Sequence, residues 1–126
     1  MPLSVKEQSE IFRDIAEANN ILKFQWSDRS EEIEVLWSAR HDAYYAALAL
    51  APGKKAFTTD ICVPISNLTD CIIETKKDIE QSNIIAPIVG HVGDGNFHLI
   101  MLLDPENKKE VSEAKQLNDK VAQRSV

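Results

Sequence analysis

The spacing of apolar residues predicts four helices along the chain. In the first, apolar positions recur every three or four residues after a Ser-x-x-Glu capping box that begins at Ser4. A second and longer apolar stripe starts near Ser30 and a third near Ser66, and Asp104 is expected to cap the fourth. Each stripe covers one side of its helix, so each helix is expected to pack by that side.

Alternating apolar and polar residues predict strands between these helices. Residues 22–26 and 57–63 alternate in this way, although Asp60 is unusual because aspartate is depleted in strands. Two apolar runs flank residues 90–98, whose glycines, aspartate and asparagine are typical of a hairpin turn. From the second strand onward the order is strand, helix, strand, strand, helix. This order predicts an α+β fold, a ferredoxin-like split β-α-β sandwich that is incomplete at both ends.

Composition narrows the classes of function. A chain of 126 residues with 44% hydrophobic and 27% charged residues has the size and make-up of one globular domain. A net charge of −6 argues against nucleic acid or an anionic membrane surface as a partner, because those need clustered lysine and arginine. No apolar run approaches the roughly 20 residues of a membrane helix, so a transmembrane segment is not expected.

Two histidines flank the predicted hairpin turn. If residues 93–96 form a four-residue loop, His91 lies opposite His98 and Val92 lies opposite Phe97. Residues directly opposite in an antiparallel pair share a face with Cβ atoms about 4.5–5.5 Å apart, close enough for two imidazoles to bind one metal ion. Two hydrogen-bonded polar residues near a sheet rim are the alternative interpretation. Since a closed structural zinc site takes four ligands, the pair indicates an open or incomplete metal site.

Arg40 is a candidate for binding an anion. It follows Trp37 by three residues and precedes Tyr44 by four, so the three share a helix face that is predicted to point inward. An inward arginine needs an anionic partner, because an unpaired buried charge is costly. A local ion pair, or extension of the head group into water, would meet that need. A substrate carboxylate held by the planar guanidinium would meet it equally well.

Residues 90–98, Gly-His-Val-Gly-Asp-Gly-Asn-Phe-His, closely resemble the Gly-His-Val-Gly-Asp-Gly-Asn-Xaa-His motif of FAD-linked oxidases of the vanillyl-alcohol-oxidase type. Residues 37–48 and 58–64 extend the resemblance over nearly the whole chain, which looks most like the cytochrome-linked D-lactate dehydrogenases of that family. The resemblance implies that residues 1–126 are part of a C-terminal substrate or cap domain. It also implies that the FAD-binding domain, and a downstream Gly-Glu-His-Gly segment with a further metal ligand, are absent from this chain.

The resemblance implies a function as well. The whole protein would oxidise D-lactate to pyruvate by hydride transfer to FAD, in mitochondria, with cytochrome c as the electron acceptor. This chain alone would be inactive, and it would contain no catalytic residue of its own. His91 and His98 would hold zinc or manganese. Arg40 would bind the substrate carboxylate, and Asn96 would either add a hydrogen bond near the substrate or the flavin or serve only as a turn residue.

The choice of substrate is open at this point. Thr58 and Thr59 precede Asp60 with no basic residue beside them, which favours a small monocarboxylate such as D-lactate over a dicarboxylate. The alternatives are a D-2-hydroxyglutarate or glycolate dehydrogenase. A non-enzymatic α+β module that binds a metal or a carboxylate is a further alternative, from a different class of function.

Overall fold

The structure is a computed structural model that describes residues 2–125. The chain divides into two compact units, Met1–His41 and Asp42–Val126. The first contains helix α1 (Val5–Ala18) and the N-terminal part of helix α2 (Ser30–Ala49), as far as His41. Ser4 begins α1 as predicted: Ser4 Oγ accepts the Glu7 N–H at 3.2 Å, and the Glu7 carboxylate accepts the Ser4 N–H at 2.7 Å. The hydrogen bond from the Ser4 backbone lowers the pKa of the Glu7 carboxyl.

Two sequence predictions fail in the first unit. Residues 22–26 form no strand in the described chain, because a strand needs a hydrogen-bonding partner and the elements described in this unit are helical. The apolar stripe of α2 is also largely uncovered: Ile33 and Leu36 are half-buried, and Trp37 is 52% exposed. The inward face predicted for α2 is therefore open to solvent in this unit.

The second unit combines a small antiparallel sheet with two helices. Its elements are strands β1 (Lys55–Thr58), β2 (Ile61–Cys62), β3 (Ile88–His91) and β4 (Asn96–Leu103), and helices α3 (Ile65–Glu80) and α4 (Lys108–Arg124).

Strand β4 is the centre of the sheet. Strands β1 and β2 pair with one edge of β4 and β3 pairs with the other, all antiparallel. Phe57 lies opposite Met101 and Ile61 opposite Phe97, so β1 and β2 share one register and form a single edge strand that is interrupted between them. Since α3 joins this edge strand to β3 and β4 lies between the two, the arrangement is the predicted split β-α-β unit. The α+β fold class is confirmed.

The two faces of β4 are covered differently. Helices α3 and α4 pack on one face to form the main core, which contains Ile61, Val63, Leu68, Cys71, Ile84, Ala86, Phe97, Leu99, Met101, Leu103, Ala114, Leu117 and Val121. On the other face Ile100 and Leu102 pack against Ala47 and Ala51, at and just beyond the end of α2. That smaller cluster covers one end of this face of β4 and leaves the other end uncovered.

Helix α4 begins three residues later than Asp104–Pro105 would place it. Asn107 is the cap, and its side-chain oxygen accepts the Lys109 and Glu110 N–H groups at 3.1 and 3.3 Å. Asp104 instead stabilises the preceding turn by accepting the Glu106 N–H at 2.9 Å. Both side chains are good caps, and the local spacing does not distinguish them. In the part of the chain that the structure describes, no helix is long and apolar enough to cross a membrane.

Candidate functional site

The turn between β3 and β4 is fixed by a contact with a distant segment. Residues Val92–Asp94 form a 3-10 turn, and Gly95 follows in the left-handed region with φ of 68°. A Cβ on Gly95 would lie 2.2 Å from the carbonyl oxygen of Val63, and the Val63 N–H donates to the Gly95 carbonyl at 2.9 Å. Only glycine fits this position, because a side chain would meet both backbone strain and a backbone atom.

The register of the hairpin differs from the prediction. His91 lies opposite Asn96 and Val89 lies opposite His98, so the predicted pairs of His91 with His98 and Val92 with Phe97 are wrong. The shift arises because the turn occupies residues 92–95 rather than 93–96. A shift of this kind moves the pairing by two residues, and side chains alternate with a period of two, so the same face is kept.

His91 and His98 still lie together, as diagonal neighbours on one face. Their ring centroids are 5.6 Å apart and the rings are nearly perpendicular, at 84°. Both side chains are half-buried. They occupy the end of the face that the Ile100–Leu102 cluster leaves open. We call this region, comprising His91, Asn96, His98, Asp60 and Cys62, the polar end of the sheet.

The ring of His98 is oriented by the edge strand. Its Nδ1 lies 3.2 Å from the carbonyl oxygen of Thr59 and 3.6 Å from Asp60 Oδ1. A carbonyl oxygen can only accept a hydrogen bond, so this contact places the ring proton on Nδ1. The Nε2 lone pair is then left for another ligand, which is the arrangement that metal-binding histidines use.

Asn96 is held by the same edge strand. Its Nδ2 lies 2.7 Å from Asp60 Oδ1, 3.1 Å from the Ile61 carbonyl oxygen and 3.1 Å from Cys62 Sγ. An amide carries two hydrogens, and these partners use both of them. The group that Asn96 can offer to a ligand is therefore its Oδ1, an acceptor. The contact also gives Asp60, which lies at the interruption of the edge strand, a role: it orients Asn96.

The donor set at the polar end fits part of a metal site. His91 and His98 provide two imidazoles close enough to share an ion, and the orientation of His98 leaves Nε2 available. Within residues 2–125, no three His, Cys, Asp or Glu side chains are grouped closely enough to hold a metal between them. A cation held here would therefore complete its coordination with groups other than His, Cys, Asp or Glu side chains of residues 2–125.

Arg40 is on α2, in the first unit. Its side chain is exposed, and the guanidinium carbon lies 4.9 Å from the centroid of the Trp37 ring, in cation–π contact. The prediction that Arg40 faces inward is wrong within this unit, because the helix face that it shares with Trp37 is uncovered. Arg40 and Trp37 line an open cavity of about 440 Å³. A planar cation held on an aromatic face at the edge of a cavity is well placed to bind a carboxylate.

Comparison with known proteins identifies the family. The family described as FAD linked oxidases, C-terminal domain, matches residues 2–126. The chain belongs to this family.

Similar individual proteins are named as dehydrogenases of different hydroxy acids. This FAD-linked oxidase domain is 46% identical to a probable D-lactate dehydrogenase, mitochondrial, of Danio rerio, over 98% of the chain and 25% of the relative. It is 37% identical to the D-lactate dehydrogenase (cytochrome), mitochondrial, of Arabidopsis thaliana, over 90% of the chain and 20% of the relative. It is 32% identical to the D-2-hydroxyglutarate dehydrogenase of Haemophilus influenzae, over 86% of the chain and 11% of the relative. The chain thus spans a quarter or less of the length of these curated relatives.

The structure brings together three of the four site residues predicted for this FAD-linked oxidase domain, namely His91, Asn96 and His98. Thr59, whose carbonyl oxygen contacts His98, was not among the site residues predicted from the sequence. Asp60 stood out in the sequence only as an aspartate in a predicted strand, and the structure shows which groups it contacts. Nothing in the sequence indicated that Thr59 contacts His98, because threonine is common in strands.

Proposed function

We propose that this chain forms part of the substrate-binding domain of an FAD-dependent D-2-hydroxy-acid dehydrogenase, and that its substrate is D-lactate, which is oxidised to pyruvate. Family membership and the names of the relatives support the reaction class. The observation that carries the proposal for this chain is the polar end of the sheet, where the ring centroids of His91 and His98 lie 5.6 Å apart on a face whose other end is apolar. A hydroxy acid needs such a site, because its hydroxyl proton must leave as the hydride departs.

The metal and the flavin have separate tasks in this proposal. When bound, a divalent cation such as zinc or manganese would place positive charge beside the substrate 2-oxygen, and FAD would accept the hydride. His91 and His98 would hold the cation through their imidazole nitrogens. We propose that FAD itself is held mainly by a separate FAD-binding domain, and that the chain alone has no dehydrogenase activity.

Arg40 and Asn96 would orient the substrate. The Arg40 guanidinium, supported on the Trp37 ring, would bind the carboxylate through two parallel hydrogen bonds. Because the Asn96 amide hydrogens are already used, its Oδ1 would accept a hydrogen bond, and the substrate hydroxyl is a suitable donor. A carboxylate held in a fixed direction determines which face of the substrate Cα–H is presented for transfer.

The surroundings of the polar end favour a small monocarboxylate. The residues next to His98 on the same face include Val89 and Ile100, both part of the apolar cluster. Thr58 lies opposite Ile100 on the neighbouring strand. These side chains suit the methyl group of lactate and offer no cation for the second carboxylate of D-2-hydroxyglutarate. The Haemophilus influenzae relative keeps D-2-hydroxyglutarate as the second candidate substrate.

The names of the relatives also suggest where the protein acts. The Danio rerio and Arabidopsis thaliana proteins are both named as mitochondrial, and the second name includes cytochrome. We propose a mitochondrial location for this protein, and cytochrome c as the acceptor of its electrons.

A visible spectrum tests the reaction. The protein purified from its own source should show a flavin absorption band that bleaches when D-lactate is added under anaerobic conditions. D-2-Hydroxyglutarate and glycolate, added separately, should bleach it much more slowly. Faster bleaching by D-2-hydroxyglutarate would transfer the proposal to that substrate. A purified protein without flavin would favour the non-enzymatic module that binds a metal or a carboxylate.

Two pairs of variants test the residues. His91→Ala and His98→Ala should each lower the metal content of the purified protein and its turnover, whereas unchanged metal content would reject ligation.

Arg40→Lys keeps the charge but loses the planar fork, so it should raise KM for D-lactate by about tenfold. Arg29→Lys, on an exposed arginine at the start of α2, is the matched control and should leave KM unchanged.

A further inference from the structure

The edge strand beside His98 is interrupted although its register is not. Strands β1 and β2 pair with β4 in the same register on both sides of the interruption, which falls at Thr59 and Asp60. An ordinary hydrogen-bonded antiparallel pair exchanges two bonds, one from each N–H to the opposite carbonyl. The interruption therefore reflects a change in how these residues use their hydrogen bonds.

One of the two expected bonds is redirected at Thr59. The Thr59 N–H donates to the Leu99 carbonyl at 3.0 Å, as an ordinary ladder requires. The return bond from the Leu99 N–H goes to the Thr59 hydroxyl oxygen instead, at 3.2 Å. Thr59 is only 7% exposed and Leu99 is fully buried, so that N–H needs a partner within the protein. The hydroxyl supplies it.

Because the Thr59 hydroxyl accepts this hydrogen bond, the Thr59 carbonyl oxygen is available to His98, whose Nδ1 lies 3.2 Å away. We propose that Thr59 is a positioning residue for His98: its hydroxyl takes the Leu99 N–H, so that its carbonyl can hold the His98 ring with the proton on Nδ1 and Nε2 facing the polar end. The consequence for metal binding rests on the proposed role of His98 as a ligand. The orientation of the ring does not.

Asp60 is a weaker candidate for the same task. Its Oδ1 lies 3.6 Å from His98 Nδ1, beyond hydrogen-bonding distance, and its side chain is 76% exposed. The same oxygen accepts a hydrogen bond from Asn96 at 2.7 Å. Asp60 therefore adds negative charge near the ring, while the Thr59 carbonyl provides the directed contact.

Three variants separate this role from simple packing. Thr59→Val keeps the shape and loses the hydroxyl, and Thr59→Ser keeps the hydroxyl and loses the methyl group. Thr58→Val, at the exposed neighbouring position of the same strand, is the matched control. Without the hydroxyl, the Leu99 N–H should pair with the main-chain carbonyl at position 59, which closes the ladder and takes that carbonyl away from His98.

The tautomer of His98 is the decisive measurement. Long-range ¹H–¹⁵N NMR spectra of the metal-free chain, at alkaline pH where free imidazole is neutral, distinguish a proton on Nδ1 from one on Nε2. The wild type, Thr59→Ser and Thr58→Val should show His98 with the proton on Nδ1. Thr59→Val should shift the population toward Nε2. A position that served only for packing would tolerate valine and show no such shift.

Zinc binding to the same samples gives the functional consequence. Titration with Zn²⁺, followed through the His98 ring resonances, should show affinity about 10–100-fold weaker for Thr59→Val and nearly unchanged for Thr59→Ser. Unchanged tautomer and unchanged affinity in Thr59→Val would overturn the inference. If valine prevents folding, Thr59→Ala removes the same hydroxyl without crowding and is judged by the same two results.

The two proposals fail in different ways. Wild-type chain that takes up no zinc at His98, or His98→Ala that binds zinc as well as the wild type, would reject ligation by His98. The tautomer measurement on the metal-free chain would still decide whether Thr59 orients the ring.

Discussion

Successive side chains of strand β4 alternate between two faces, and the two faces have different roles. Phe97, Leu99 and Met101 point toward α3 and α4 and are each 0% exposed. His98 lies between Phe97 and Leu99 in sequence and Asn96 directly precedes Phe97, but both point the other way and are half-buried. One strand thus carries both the core and the candidate site, and the period-two alternation of strands keeps them apart. Changes on the first face should affect stability, and changes on the second should affect ligand binding.

The largest difference is expected between neighbouring residues. Phe97→Ala removes a fully buried ring from the core and should lower the free energy of unfolding by about 3–5 kcal/mol. His98→Ala, one residue on, leaves that core intact and should change it by less than about 1 kcal/mol. Urea unfolding of both variants measures the contrast. Equal losses would mean that the polar end is as important to the fold as the helix-packed face.

A substitution in the turn between β3 and β4 should have the next largest effect on the free energy of unfolding. Gly95→Ala places a Cβ against the Val63 carbonyl oxygen in left-handed backbone, so we expect a loss of about 2–3 kcal/mol in the free energy of unfolding. Gly93→Ala is the control, because a Cβ there meets no atom within 4 Å. The NMR contacts between the His91 and His98 rings should weaken only in the first variant. Similar losses in both would contradict the assigned role of the Val63 contact.

The sequence was sufficient for the architecture but not for the register of the hairpin. Periodicity located the elements of the second unit and their order, and the order implied the split β-α-β topology. The position of the turn depends on the contact between Gly95 and Val63, which are far apart in sequence, and no local pattern records such a contact. The predicted pairing was therefore wrong by two residues, yet His91 and His98 still share a face because side chains repeat every two residues.

The site was predicted less completely than the fold. His91, His98 and Asn96 belong to a distinctive motif, whereas Thr59 acts through its carbonyl group, which every residue has. A role of that kind depends on which hydrogen bonds the neighbouring strand makes. In the first unit helix α2 itself was predicted correctly, but its apolar residues are not confined to one covered face, and periodicity cannot say what covers a face. The inward orientation predicted for Arg40 failed for this reason.

Helices α3 and α4 are held over the core face by ion pairs that should respond to pH. Burial would raise the pKa of the Asp78 carboxyl, but hydrogen bonds from Arg124 and Lys120 and their charges lower it overall. A carboxyl whose pKa is lowered by folding stabilises the protein above its unfolded pKa of about 3.9, and that contribution is lost as the pH falls further.

Arg124→Met should therefore cost on the order of 1.5 kcal/mol of unfolding free energy at neutral pH, and less at acidic pH. Its stability should fall less steeply than that of the wild type as the pH drops below about 4. Lys115→Met, on the exposed part of α4, is the control for losing one positive charge. Urea unfolding at several pH values measures the slopes. Parallel pH profiles for wild type and Arg124→Met would show that the ion pair is not what sets the acid sensitivity.

The smallest effect is expected at Asp60, and it tests whether Asp60 or the Thr59 carbonyl is the principal partner of His98 at the polar end. Asp60→Asn removes the charge near His98 but keeps an oxygen that can accept from Asn96. Since Asp60 is largely exposed, we expect the affinity for Zn²⁺ to weaken by no more than about fivefold, and less at high salt. Asp94→Asn removes an equal charge from the turn as the control. Zinc titrations of the two variants at two salt concentrations measure the affinity and its salt dependence. A loss of tenfold or more in Asp60→Asn, independent of salt, would make Asp60 rather than the Thr59 carbonyl the principal partner of His98.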